Sequence, residues 1–115
     1  MSKKADPDVA RYADMLGALG AEPRLRIMRL LLSAHPDGLV VGDIQSALPL
    51  PGPTLSHHLE KLRNEDIVTV QREGTYLRYR PNVEALRDVL GFLLAECCGR
   101  NKVFNTDAVT SMCKR

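Results

Sequence analysis

The 115-residue sequence predicts a mainly α-helical domain carrying a β-hairpin. Apolar residues make up 44% of the chain and aromatic residues only 4%, with no tryptophan. Leu, Val, Ile, Ala and Met must therefore fill the core, which suits packed helices better than a β-sandwich. Apolar positions recur at helical spacing through most of the chain. That spacing breaks once, at the β-branched and aromatic runs VTVQR (68–72) and TYLRYR (75–80), which Glu73-Gly74 joins as a hairpin.

Residues 1–6 are polar and are expected to form a flexible N-terminus. Asp6-Pro7-Asp8 then reads as a helix start, with Asp6 as N-cap and Pro7 in the first turn. Val9, Tyr12, Ala13, Leu16 and Leu19 follow at helical spacing, and Gly20 ends the helix. Glu22-Pro23 opens a second helix, in which Leu25, Ile27, Met28, Leu30, Leu31 and Leu32 are dense enough to predict burial on most sides. His35-Pro36-Asp37-Gly38 stops it.

A short helix is predicted from Val41 to Leu48, followed by the stiff turn Pro49-Leu50-Pro51-Gly52-Pro53. Pro53 suits the first position of a helix running from Thr54 to Asn64. Advancing about 100° per residue places Leu59 and Leu62 within about 40° of Leu55, so those leucines form a buried stripe. His57, Lys61 and Thr54 fall on the exposed face, while His58 flanks the leucines and reads as a packing histidine. After the hairpin, closed by Pro81, residues 82–98 return to helical periodicity. The order α-α-α-α-β-β-α makes one domain over residues 7–98, with a polar C-terminal tail over 99–115.

A net charge of +2 and a pI near 8.5 permit nucleic-acid binding without announcing it. No apolar run approaches the roughly 20 residues that cross a bilayer, and MSKKADPD lacks the apolar centre of a signal peptide, so a cytoplasmic protein with no membrane partner is expected. The three cysteines, Cys97, Cys98 and Cys113, are an odd number and argue against a disulfide framework. Without a Cys-X-X-Cys pair, a Gly-rich phosphate loop or a histidine near the thiols in sequence, the chain is not expected to be an enzyme.

A short helix, a tight turn, a second helix with a polar face and a basic hairpin together spell a winged helix-turn-helix that binds double-stranded DNA. Thr54, Ser56 and His57 are the candidates for base edges, and Lys61 for phosphates or base edges. Arg72, Arg78 and Arg80 on the hairpin are candidates for the DNA backbone or a minor groove. Between Pro53 and Arg80 five cations (Lys61, Arg63, Arg72, Arg78, Arg80) face four acids (Glu60, Glu65, Asp66, Glu73), so affinity must come from geometry. The competing reading is a domain of the same shape that binds protein, or dimerises, without DNA.

ALGAEPRLRIMRLLL (18–32) and TLSHHLEKLRNEDIVTVQREGTYLRYR (54–80) resemble the ArsR/SmtB family of bacterial winged-helix repressors, over about residues 10–98. The resemblance implies a homodimer through the first and last helices. It implies a palindromic operator with one recognition helix per major groove, no required cofactor, and release when an inducer binds.

Family members differ in where the inducer sits. Many arsenic sensors carry Cys-Val-Cys-Asp-Leu on the short helix, where this chain has Val40-Val41-Gly42-Asp43-Ile44 and no thiol. Zinc sensors use Asp, His and Glu on the last helix, but residues 82–98 contain no histidine. With Leu90 at 0°, Val83, Leu86, Leu93 and Leu94 form a stripe that holds Cys97 at about 340°, with Cys98 flanking near 80°. Two thiolates without an imidazole suit a soft, thiophilic centre.

The pair resembles that of arsenic-responsive members whose adjacent cysteines close the last helix, with a third cysteine shortly after; here Cys113 follows Cys98 by fifteen residues. The resemblance thus implies As(III) or Sb(III) as inducer at Cys97, Cys98 and Cys113. With Cys113 engaged, arsenite or antimonite fits a three-sulfur site; without it, a two-sulfur site suits methylarsenite. Two other readings stay open. Cys97 could be a small packing residue, or the pair a redox or persulfide switch on the same scaffold. Against the switch stand the strain of a vicinal disulfide and the poor support for thiolate at a helix C-terminus.

Overall fold

The computed structural model describes residues 7–101, with side chains through Cys97. They divide into two compact units between Asn82 and Val83. The first contains α1 (Pro7–Leu19), α2 (Glu22–Ser33), β1 (Leu39–Val40), α3 (Val41–Ala47), α4 (Gly52–Asn64), β2 (Val68–Glu73) and β3 (Tyr76–Pro81). The second contains α5 (Val83–Asn101). The order is that of a winged helix-turn-helix, with one strand more than the sequence predicts. The predicted N-cap Asp6 lies outside the described residues.

The core of the first unit gathers one stripe from each helix. Leu55, Leu59 and Leu62 of α4 are 0%, 1% and 0% exposed, as their spacing predicts. Met15 and Ala18 of α1, Ile27, Met28 and Leu31 of α2, Ile44 of α3, and Ile67 and Val68 complete it. Full burial of each large aliphatic side chain stabilises the fold by about 1.5–3 kcal/mol.

Two expectations about burial need correction. α2 is not buried on most sides: Leu25 and Leu32 remain 49% and 36% exposed, because at about 100° per residue they point away from the stripe of Ile27, Met28 and Leu31 that the neighbouring elements cover. In α1 the buried positions are Met15 and Ala18, while Val9 and Leu16 stay 49% and 39% exposed.

Local chain stiffness explains where α4 and the hairpin begin. α4 begins at Gly52, two residues before the predicted Thr54, with Pro51 at φ −59° and ψ 151° as its N-cap. Pro53 then lies inside the first turn, where its missing N–H has no helical partner to lose. The hairpin runs in register from Val68↔Pro81 to Glu73↔Tyr76. Its two-residue loop begins at Gly74, whose φ of 64° favours glycine.

β1 adds a third strand, ordered β1-β3-β2, through Leu39↔Tyr79 and Val40↔Arg78. It enters from Gly38 at φ 74°, packed so closely on β3 that a Cβ there would meet the Tyr79 carbonyl oxygen at 2.3 Å.

α5 runs on through Cys98, Gly99 and Arg100 to Asn101, past the predicted end at residue 98. One glycine costs a helix only about 1 kcal/mol relative to alanine, too little to stop it. Within α5, Ala85 and Val89 are buried, whereas Leu90 and Leu93 of the predicted stripe are 39% and 52% exposed.

Candidate nucleic-acid interface

The leucine stripe of α4 decides what the helix presents outward. With Leu55, Leu59 and Leu62 inward, Thr54, Ser56, His57 and Lys61 are all exposed, so the structure brings the four predicted contact residues onto the solvent side of one helix. Pro49 to Pro51 hold the turn ahead of it, where the Leu50 N–H donates to the Leu48 carbonyl at 2.8 Å. Gly52 opens α4 beside α3, with the Gln45 amide nitrogen 3.2 Å from where its Cβ would stand.

His58 is half-buried beside this face, as its flanking position predicts. Its Nδ1 lies 3.2 Å from a terminal guanidinium nitrogen of Arg24. Arg24 also donates through Nε to the Ala18 carbonyl of α1 at 2.6 Å. Burial first, then the charges of Arg24, His57 and Lys61, hold the His58 imidazole below its usual pKa of 6.5. Sequence reading missed Arg24, because its partners lie 6 and 34 residues away and no periodicity links them.

On the wing, the three predicted arginines are not equivalent. Side chains paired across strands share one face of the sheet. Val68, Val70 and Arg72 therefore share a face with Pro81, Tyr79 and Leu77, and this face is buried at its root through Val68, Tyr79 and Pro81. Thr69, Gln71 and Glu73 share the other with Arg80, Arg78 and Tyr76.

On that second face Arg78 donates through Nε to both Glu73 oxygens at 3.0 Å and through a terminal nitrogen to the Gly38 carbonyl at 3.4 Å. Its guanidinium is committed to holding the wing against the turn before β1. Arg80 donates to the Gln71 side-chain oxygen at 2.6 Å and lies 3.9 Å from Glu73. Arg72 donates at 3.3 Å to the Gly74 carbonyl and remains exposed near the hairpin tip. Of the three, Arg72 has the least compensated charge.

On α5, Cys97 is exposed, and its Sγ donates weakly to the Leu94 carbonyl at 3.6 Å. Cys98 follows in helical backbone; its side chain and the whole of Cys113 lie outside the described residues. Among the described residues no three His, Cys, Asp or Glu side chains gather as a metal-ligand set.

A model of the helix-turn-helix domain matches residues 16–71. An uncharacterized helix-turn-helix-type transcriptional regulator of Methanocaldococcus jannaschii is 39% identical over 69 residues, 60% of this chain and 75% of that protein. The fold is shared with an ArsR-like transcriptional regulator from Rhodococcus, at a TM-score of 0.67, 21% identity, and coverage of 93% of this chain and 96% of that one. The chain belongs to the helix-turn-helix-type transcriptional regulators.

Other ArsR-type proteins match as well. The homodimeric winged helix-turn-helix DNA-binding domain of a Mycobacterium bovis protein superposes at a TM-score of 0.63 with 26% identity, over 90% of this chain and 94% of that one. A Halobacterium salinarum protein named for repression of an arsenical resistance operon is 27% identical over 89 residues, 72% of this chain and 74% of its own length. The family is one of DNA-binding regulators rather than enzymes. Among the described residues no helix is long and apolar enough to cross a membrane.

Proposed function

We propose that the chain is a metalloid-responsive repressor that binds operator DNA as a homodimer and is released when trivalent arsenic or antimony binds its cysteine thiolates. The observation that carries the sensor reading is the exposed Cys97 thiol, followed directly by Cys98 within continuous helical backbone. Thr54, Ser56 and His57 read bases, and Lys61 and Arg72 neutralise phosphates. Arg80 assists from the wing, and Arg78 acts by holding the wing in place. Exposed apolar residues stand on each unit, Val9 and Leu16 on α1 and Leu90 and Leu93 on α5, and each helix offers them to a second copy.

The helix through the cysteines supplies a mechanism for release. Backbone direction turns about 100° from one helical residue to the next, so adjacent side chains do not face each other. One arsenic drawn to both thiolates must therefore unwind the last turn of α5, and the ligand's binding energy is coupled to the helix that we assign to the dimer. The donor set suits this ligand, since sulfur donors with no imidazole favour a soft centre. Cys113 completes a three-sulfur site for arsenite or antimonite, while Cys97 and Cys98 alone serve methylarsenite.

The test is fluorescence anisotropy of the reduced protein on its own promoter DNA, titrated with arsenite, antimonite, methylarsenite, zinc and a persulfide donor. Release by trivalent metalloids alone, abolished in Cys97→Ser and Cys98→Ser variants that still bind DNA, is the expected result. Release by the persulfide donor alone would move the function to a redox or persulfide-responsive repressor.

A further inference from the structure

An apolar stripe does not by itself fix how far a helix is rotated about its own axis. Burial of Leu55, Leu59 and Leu62 is non-directional and tolerates a small rotation of α4. A hydrogen bond from a donor fixed elsewhere tolerates it much less. Arg24 provides that donor, reaching from α2 to the α1 terminus through Ala18 and to α4 through His58.

We propose that Arg24 is a positioning residue for the recognition helix, setting the rotation of α4 through His58 Nδ1, and that operator binding is therefore weakened by acid. The proposal rests on the DNA-binding reading of α4. Ala18 lies in the last turn of α1, where carbonyls lack helical partners, so the Nε bond anchors the guanidinium as well as satisfying that oxygen. An arginine guanidinium has protons only to give. His58 Nδ1 must accept, which makes His58 the neutral tautomer with its proton on Nε2.

The surroundings keep it neutral. Arg24 faces His58 from α2, and His57 and Lys61 stand beside it on α4, the two imidazole centroids 5.9 Å apart. Asp14 of α1 and Glu65 beyond α4 are the acids lining the adjoining cleft, which Arg24 and Lys61 also line. Protonation of Nδ1 would replace the acceptor with a second donor and set imidazolium against guanidinium at hydrogen-bond distance.

The direction follows from the depressed pKa of His58. The hold on α4 is complete above the ordinary histidine value of 6.5 and is lost as pH falls through the lower value in the folded protein.

The test compares proteins that share every predicted DNA-facing residue. A duplex selected by the wild-type full chain from a random-sequence pool is titrated by anisotropy from pH 7.5 to 5.0 with wild type, Arg24→Met and His58→Asn. Asparagine offers an acceptor near the Nδ1 position and cannot titrate, and both it and wild type retain His57. Arg24→Met is expected to bind about tenfold more weakly at pH 7.5. The ratio of wild-type Kd to His58→Asn Kd is expected to rise at least about threefold on acidification, the loss of roughly one weak hydrogen bond.

A flat ratio across that range overturns the proposal, as does a folded Arg24→Met variant that binds like wild type. Should Arg24→Met fail to fold by circular dichroism, the ratio decides alone. If the pool yields no duplex at all, the DNA-binding reading falls and takes this proposal with it.

Discussion

Gly38 and Gly74 make a matched pair for testing what holds the wing to the body of the domain. Both adopt positive φ, 74° and 64°, so alanine at either position carries the left-handed cost of about 1–2 kcal/mol. Around Gly74 a Cβ would meet nothing within 4 Å. At Gly38 it would lie 2.3 Å from the Tyr79 carbonyl oxygen and 2.7 Å from Arg80 Cγ. The first contact is with backbone, and Tyr79 pairs with Leu39, so relief requires β1 and β3 to separate.

Overpacking of this kind adds about 1–3 kcal/mol. Gly38→Ala should thus destabilise by about 2–5 kcal/mol, a large share of the 5–15 kcal/mol typical of a domain, and Gly74→Ala by only about 1–2. Urea unfolding followed by circular dichroism measures both, at one protomer concentration because dimerisation contributes to apparent stability. Equal losses for the two variants would refute the steric argument. They would mean that the chain relaxes around Gly38 without disturbing β3.

Lys61→Ala should weaken binding to all DNA sequences alike and lower the slope of log Kd against log salt by about one, which anisotropy at several salt concentrations reads directly. Arg72→Ala should reduce operator affinity with stability unchanged. Arg78→Ala should instead lower stability by about 1–3 kcal/mol, since it removes the guanidinium that ties Glu73 to the Gly38 carbonyl, and the pair of urea curves separates the two roles. Leu93→Glu on the exposed face of α5 should shift the protein towards monomer in sedimentation equilibrium and weaken operator binding with it.

Much of the DNA-reading half was legible in the chain. The Leu55, Leu59 and Leu62 spacing requires only helical geometry, so placing those residues inward also placed Thr54, Ser56, His57 and Lys61 outward. The hairpin was equally local, because alternation in VTVQR and TYLRYR and a glycine at the loop are properties of neighbouring residues. A two-residue strand has no periodicity of its own. β1 exists because Gly38 lets the chain approach β3 closely enough to pair, and residues 39 and 79 give no sign of that in sequence.

The limits of the cysteine helix show a weaker signal overruled. Gly99 suggested an end at Cys98, but α5 continues to Asn101 because the cost of one glycine is small beside the hydrogen bonds of a running helix.

Local periodicity, then, determined the helices, the wing and the solvent-facing side of α4, since each depends on residues within a few positions of one another. Long-range approach decided the rest. Only the folded chain sets Arg24 against His58 and sorts Arg72 from Arg78 by the pleat of a paired sheet. Hydrogen bonds and burial between distant segments have no period, so composition and spacing carry no trace of them.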